Sequence, residues 1–430
     1  MTMQRRHFVQ TVAAGSALGS LGLLGGCAST TAGGSGPHVV VIGGGYGGAT
    51  AAKYTRLFSE GKVRVTLIEP NAQFISCPIS NLVIGGIKQI ADITIPYDNL
   101  EKRHGVKIVR DRATAIDPDK RVVKLAGGGE IGYDRLIVSP GIDFMWETLP
   151  GMAKDGAKDK VLHAWNAGPQ TVALRKQLEA MPDGGVYALS IPLVPFRCPP
   201  GPYERACMVA HYFKKAKPKS KVIIFDANDD IQSKKALFMK AWDEHYKDII
   251  EYRPKHRVVD VDAATNTLKF EFNEDFKADV ANVLPNMRAG DIAVKTGLAT
   301  ANKRWCEVDF LTFESRAVKN VHVLGDAIQI APLMPKSGHM ANQHGKTCAA
   351  AIVNLLMGKE PPATPLYANT CYSFVTDEDV VHVASVHRYD PEKKTMLTVP
   401  GSGGVSARAS ELEGRYALAW ARNIWADTLA

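Results

Sequence analysis

A chain of 430 residues is too long to share one hydrophobic core and calls for two or three domains. Apolar residues make up 45% and charged residues 22%, ordinary proportions for a globular protein. The formal charge of +8 includes Arg5 and Arg6 of the leader; the rest is spread along the chain, which could favour an acidic partner surface but leaves no nucleic-acid footprint.

The chain opens on Gln4-Arg5-Arg6-His7-Phe8-Val9-Gln10, followed by a Gly/Ala-rich apolar stretch, Thr11 to Gly26. Paired arginines before a modest apolar run resemble a twin-arginine export signal, so residues 1–27 are expected to send the protein, folded, to the periplasm. A membrane anchor fits less well, because the run is short and rich in small residues; nothing later approaches the ~18 apolar residues of a span. Leu24-Gly25-Gly26-Cys27 resembles a lipobox with Cys27 as the lipid-anchor site; ordinary signal cleavage nearby would leave Cys27 incidental. A Ser/Thr/Gly tether, residues 28–36, follows.

His38-Val-Val-Val-Ile42 is a continuous β-branched run, the pattern of a buried parallel strand. Gly43-Gly44-Gly45-Tyr46-Gly47-Gly48 comes next, then a helical stretch, Ala49 to Phe58, and a second strand, Val63 to Ile68, ending in Glu69. Gly43, Gly45 and Gly48 form GxGxxG inside a βαβ unit. In that setting they allow a tight turn, close backbone approach to a pyrophosphate and close helix–strand packing, while Glu69 is placed to accept from a ribose. The helix N-terminus adds free N–H groups.

Two later segments distinguish FAD from NAD. Tyr133-Asp-Arg-Leu-Ile-Val-Ser-Pro-Gly141 and Val321-His-Val-Leu-Gly325-Asp326-Ala327 resemble the second and third motifs of two-dinucleotide-domain flavoproteins. That resemblance implies that Gly325 and Asp326 close on the FAD ribitol and that a helix beginning near His339 points its positive end at the flavin. Between them, Gly185–Ile191 and Lys221–Phe225 read as the first strands of a second nucleotide domain, the latter ending at Asp226. The turn between these strands begins Pro192-Leu-Val-Pro-Phe-Arg-Cys-Pro-Pro-Gly-Pro202, with prolines where phosphate-binding glycines would stand. Proline offers no N–H. The second domain is therefore expected to lack an NAD fingerprint, and a small reductant to reach the flavin directly.

The cysteines are Cys27, Cys77, Cys198, Cys207, Cys306, Cys348 and Cys371. There is no CxxCH and no zinc-type spacing, so neither a c-type haem nor a metal is expected on this chain. Phe196-Arg-Cys198-Pro-Pro-Gly-Pro-Tyr-Glu204-Arg, Pro335-Lys-Ser-Gly338 and Asn369-Thr-Cys371-Tyr-Ser together resemble the flavoprotein subunit of flavocytochrome c sulfide dehydrogenase, from about Val39 to the C-terminus.

That resemblance implies an α/β chain of two Rossmann-like dinucleotide-binding domains plus a C-terminal domain. The expected divisions are a discontinuous FAD domain (37–148 and 263–345), a degenerate NAD-like domain (149–262) and a C-terminal domain (346–430). It implies a Cys198–Cys371 redox disulfide, FAD held covalently through Cys77, sulfide as substrate, and a separate c-type cytochrome subunit as electron acceptor. Chemistry agrees: hydrosulfide attacking a disulfide makes a persulfide and a thiolate whose electron pair suits a flavin. Glu204, expected at a helix start, is a candidate proton acceptor, with dipole-favoured placement as the structural alternative. Lys336 reads equally as charge near the flavin or as a solvated loop lysine.

Cys207, Cys306 and Cys348 read as buried core residues. Leu412, Tyr416, Trp420 and Ile424 form an i, i+4 stripe on a C-terminal helix ending near Trp425, for packing, a protein contact or lipid. A sulfide:quinone oxidoreductase-like enzyme, or a flavin-bearing binding or assembly subunit without catalysis, are the alternatives.

Overall fold

The computed structural model describes residues 36–430. The expected leader, Cys27 and all of the tether except Gly36 lie outside the described residues.

Val39, Val40 and Val41 have no exposed surface, as a strand covered on both faces requires. They belong to a five-stranded parallel sheet ordered Val321–Val323, Arg135–Val138, His38–Ile42, Arg64–Ile68, Lys107–Val109. In register, Val39 lies opposite Val65 on one side and Arg135 on the other. The chain leaves the first strand toward Arg64–Ile68 and later returns on the opposite side, so a crevice opens at the carboxyl end of His38–Ile42, where such sheets bind ligands. The helix Tyr46–Phe58 starts in this crevice, three residues earlier than the sequence pattern suggests.

A second parallel sheet repeats the plan, ordered Ile250–Arg253, Lys221–Asp226, Val186–Ile191, Val280–Val283. Each parallel sheet carries a three-stranded antiparallel meander before its return strand: Ala113–Gly132 in the first, Val258–Lys277 in the second. This corrects two expected boundaries. Closing the second domain at 262 cuts its meander and omits Val280–Val283, which pairs in parallel with Val186–Ile191. Closing the FAD domain at 345 cuts the continuous helix Gly338–Leu356.

The C-terminal part is an antiparallel sheet, Leu366–Phe374, Val380–Asp390 and Thr395–Thr398, closed by the helix Glu411–Leu429. That helix docks on Tyr46–Phe58: Lys53 Nζ donates to the carbonyls of Ala426 and Asp427, and Tyr54 Oη to Asp427. Its buried face includes Ala417, Ala421 and Ile424, and Trp420 packs against the core and lines the cavity described below; of the expected stripe, Leu412 and Tyr416 are about half exposed, at 51% and 52%. The helix also continues beyond Trp425 to Leu429. Among the described residues, no helix is long and apolar enough to cross a membrane.

Candidate functional site

One cavity of about 300 Å³ gathers almost every residue singled out in the sequence: Gly43, Gly45, Glu69, Cys77, Cys198, Glu204, Gly325, Asp326 and Cys371 all line it. Gly48 supports it from below. A Cβ on Gly48 would fall 1.9 Å from the Gly43 carbonyl oxygen, so only glycine lets the helix approach the strand so closely. A Cβ on Gly45 would meet nothing within 4 Å; it would project into open space at the cavity wall. Glu69 is buried, its Oε2 accepting from the Gly44 N–H at 2.6 Å and its Oε1 from the Asn71 N–H at 2.8 Å.

These residues fit FAD. The open face over Gly45 and the N-terminus of Tyr46–Phe58 suit a pyrophosphate. Asp326 Oδ1 is buried without a hydrogen-bond partner, an acceptor that needs a donor such as a ribitol hydroxyl. Burial pushes the Asp326 carboxyl up, opposed by the charges of Arg197 and Lys336. The helix Gly338–Leu356 starts at the same cavity, its N-terminus capped by Ser337, whose Oγ accepts from the Met340 N–H at 3.1 Å. A pair of variants separates fold from ligand. Gly45→Val is expected to fold and purify colourless, whereas Gly48→Val is expected to lose the folded domain; far-ultraviolet dichroism beside visible absorbance checks both.

In the second domain the acid at the matching strand end is hydrogen-bonded within the chain. Asp226, at the end of its second strand, has no exposed surface. Its oxygens accept from Tyr203 Oη at 2.7 Å, Tyr252 Oη at 3.1 Å and the Asn228 side chain at 2.7 Å. The acid that would take a ribose is used internally.

Cys77 follows the strand Gln73–Ile75. Pro78 and Ile79 are the central residues of a turn closed by the Ser80 N–H on the Cys77 carbonyl at 3.1 Å. Ile79 has φ +76 and ψ −11, the third position of a type II turn. Proline presets the second position of that turn, so Pro78 fixes the geometry that presents the Cys77 thiol to the cavity. A left-handed isoleucine there is strained, as backbone beside functional groups can be.

Cys198 sits on the proline-rich turn with φ +58, before Pro199, and its N–H donates to the Lys336 carbonyl at 2.8 Å. Cys371 lies on the strand Leu366–Phe374, opposite Val383. Cys77, Cys198 and Cys371 are free thiols. Burial raises the Cys198 thiol, and the neighbouring Cys371 and Glu204 raise it further. Cys207, Cys306 and Cys348 are fully buried in the core, away from the cavity lining.

Glu204, in the first turn of the helix Gly201–Ala216, joins the elements that carry the three cysteines. Its Oε1 accepts from the Phe374 N–H at 3.0 Å, on the strand of Cys371. Its Oε2 accepts from Asn81 Nδ2 at 2.8 Å, on the short helix after Cys77. Burial holds its carboxyl above the ordinary range despite these donors.

Three charged groups complete the setting. Lys336 is 3% exposed, which removes the solvated alternative; its Nζ donates to the carbonyls of Asp326 and Ile328 and lies 3.6 Å from the Trp305 ring centre. Burial lowers it to about 7. Arg205, quoted in the sequence motif without a role, is 1% exposed. It donates to Asn81 Oδ1, Asn282 Oδ1 and the carbonyls of His163 and Ala164. Lys234, missed in the sequence, is also buried. Its surroundings, Gln-Ser-Lys-Lys-Ala, read as a solvated charge run, and only the fold turns it inward.

Comparison with known proteins agrees with this geometry. Residues 171–285 match the family model "Sulfide dehydrogenase [flavocytochrome c] flavoprotein chain, central". Residues 363–429 match "Flavocytochrome c sulphide dehydrogenase, flavin-binding", and residues 37–178 match "Pyridine nucleotide-disulphide oxidoreductase". The mitochondrial sulfide:quinone oxidoreductase of Mus musculus is 26% identical over 72% of this chain and 69% of its own. The sulfide dehydrogenase [flavocytochrome c] flavoprotein chain of Chlorobaculum thiosulfatiphilum is 53% identical over 46 residues, 11% of this chain and 94% of that sequence. Among solved structures, the sulfide:quinone oxidoreductase of Aquifex aeolicus superposes with a TM-score of 0.73 at 20% identity, covering 91% of each chain. Two matching segments specific to one family, together with the dinucleotide-binding frame, show that the chain belongs to the flavocytochrome c sulfide dehydrogenase flavoprotein family.

Proposed function

We propose that this chain is the flavoprotein subunit of a sulfide dehydrogenase that oxidises hydrogen sulfide to sulfur(0) or polysulfide and delivers the electrons to a c-type cytochrome subunit. The observation that carries the proposal is the convergence of Cys77, Cys198, Cys371 and Glu204 on the cavity that also holds the glycine turn and Asp326. Bound FAD supplies the acceptor for the electron pair that sulfide leaves on the cysteines.

The chain's own residues do the rest. Cys198 and Cys371, free thiols in this structure, take the attack of hydrosulfide in their oxidised, disulfide form; one sulfur becomes a persulfide and the other leaves as a thiolate. Glu204, with a carboxyl raised by burial, can take the proton that H₂S must lose. The N-terminus of Gly338–Leu356, which opens on the cavity, favours negative charge developing there. The proposed setting is the periplasm, reached through the leader in residues 1–27, where a lost flavin could not be replaced. A thioether from Cys77 would prevent that loss.

Two measurements test these parts. Acid precipitation of the holoprotein is expected to leave flavin fluorescence in the pellet, and Cys77→Ser to move it to the supernatant; flavin wholly released from the unaltered protein contradicts the tether. For the acceptor, the sulfide-reduced protein is expected to be reoxidised by cytochrome c faster than by a soluble quinone. The reverse order would assign a quinone as partner instead.

A further inference from the structure

Lys234 is a buried cation beside the strand of Cys371. It is 7% exposed and its backbone is left-handed, with φ +55. Its Nζ donates to the Cys371 carbonyl at 2.9 Å, Ser373 Oγ at 2.7 Å and the Val381 carbonyl at 3.4 Å. All three acceptors are neutral, and among the described residues no carboxylate forms an ion pair with it. A buried ammonium without a counter-ion is costly and lowers its own proton affinity; burial brings Lys234 down to about 8. Cys371 stands first among the neighbours whose negative charge would hold the proton on, followed by Glu204, Cys198 and Glu413.

The two sulfurs of the pair are not equivalent in this field. Asn369 Nδ2 lies 3.5 Å from the Cys371 sulfur, and Lys234, Asn369 and Ser337 all oppose the upward push of burial on that thiol. Glu204 works against them. The Cys198 sulfur receives no hydrogen bond among the described residues. Glu204 and Cys371 raise it further, and only the charges of Arg197 and, more weakly, Lys234 favour its anion.

We propose that Lys234 is a positioning residue that makes Cys371 the sulfur holding the negative charge when the Cys198–Cys371 pair opens, so that hydrosulfide attacks Cys198. In that step the Cys198–Cys371 bond breaks, a bond forms between Cys198 Sγ and the sulfide sulfur, and the electron pair of the broken bond leaves on Cys371. The persulfide, with its one hydrogen, is carried on Cys198. Lys234 then provides the counter-charge for the departing thiolate, and the thiolate removes the cost of burying Lys234. This proposal rests on the reading of the two cysteines as a redox pair.

Reduced holoprotein is alkylated with iodoacetamide across a pH series, and each cysteine peptide is followed by mass spectrometry. Cys371 is expected to react at lower pH than Cys198. Lys234→Met is expected to slow Cys371 by about tenfold near neutral pH, as loss of an adjacent opposite charge does. Lys234→Arg is expected to restore most of the rate, and Cys198 to change less in both. A buried lysine acting only in packing would not give an arginine rescue of this pH profile. Cys198 titrating before Cys371 in the unaltered protein overturns the proposal even if Lys234→Met does not fold, as does a Cys371 profile unmoved in a folded Lys234→Met. Non-reducing peptide mapping of the oxidised protein separates this from the parent reading: no Cys198–Cys371 cross-link sinks the redox pair while leaving the thiol titrations to judge Lys234.

Discussion

Cys198→Ser and Cys371→Ser are each expected to abolish bleaching of the flavin by sulfide, lowering its rate at least about 10³-fold, the scale on which loss of a reacting nucleophile is felt. The two changes are expected to be non-additive, with the double variant no slower than either single one. A disulfide is one functional unit: removing either sulfur removes the electrophile that hydrosulfide attacks and the leaving thiolate together. Serine keeps the size and leaves the neighbours in place, including the Cys198 N–H to Lys336 bond and the pairing of Cys371 with Val383. Flavin content should therefore be unchanged, and dithionite should still bleach the variants. Anaerobic stopped-flow absorbance measures the rates. Full activity in one single variant would mean that the other cysteine works alone; full activity in both would remove the pair from the mechanism.

The largest expected effect on stability is at Arg205. Its guanidinium is buried, stacks 4.8 Å from the Trp165 ring centre, and faces only neutral oxygens: Asn81 Oδ1, Asn282 Oδ1 and the carbonyls of His163 and Ala164. These partners come from the short helix Ser80–Ile84, the strand Val280–Val283 and the segment before Trp165, so one side chain ties the two dinucleotide domains at the cavity. Arg205→Met keeps the packing volume but leaves several buried acceptors short of donors, and breaking such a network costs about 3–5 kcal/mol. Arg205→Lys is expected to recover little, because one ammonium cannot reproduce a planar fork aimed in several directions. Thermal unfolding followed by far-ultraviolet dichroism checks both. A change below about 1 kcal/mol would mean that water or neighbouring groups replace the guanidinium.

The nucleotide-binding part of this fold is legible because its chemistry is local. The apolar run, the glycines and Glu69 occur within one βαβ unit, and Gly325-Asp326 closes it with a short motif; the structure brings all of them to one crevice. The proline-filled turn was also readable, since missing N–H groups are a property of the residues themselves. The structure adds that Asp226, the remaining acid of a nicotinamide site, is consumed by Tyr203 and Tyr252.

What could not be read depends on tertiary placement. Pairing of Val280–Val283 with Val186–Ile191 moves a domain boundary that the local pattern put at 262. The C-terminal stripe divides along its length: Trp420 and Ile424 pack inward beside Ala417 and Ala421, while Leu412 and Tyr416 stay outside, a split that only the docking of the helix decides. Lys336 stood undecided until burial under Trp305 settled it. Lys234 had no signal at all: in the sequence it is one of two adjacent lysines, and only one of them is turned inward, with Lys235 left on the surface as an ion pair with Asp230.

The central claim is that sulfide electrons enter this flavoprotein through the Cys198–Cys371 pair. Anaerobic titration of the oxidised holoprotein with sulfide tests it most directly, followed by flavin absorbance and by mass mapping of the two cysteine peptides at each addition. The account predicts that the cross-link between Cys198 and Cys371 opens and a persulfide mass appears on one of them as the flavin bleaches. Bleaching with the cross-link intact, or with both cysteines unmodified throughout, would contradict it.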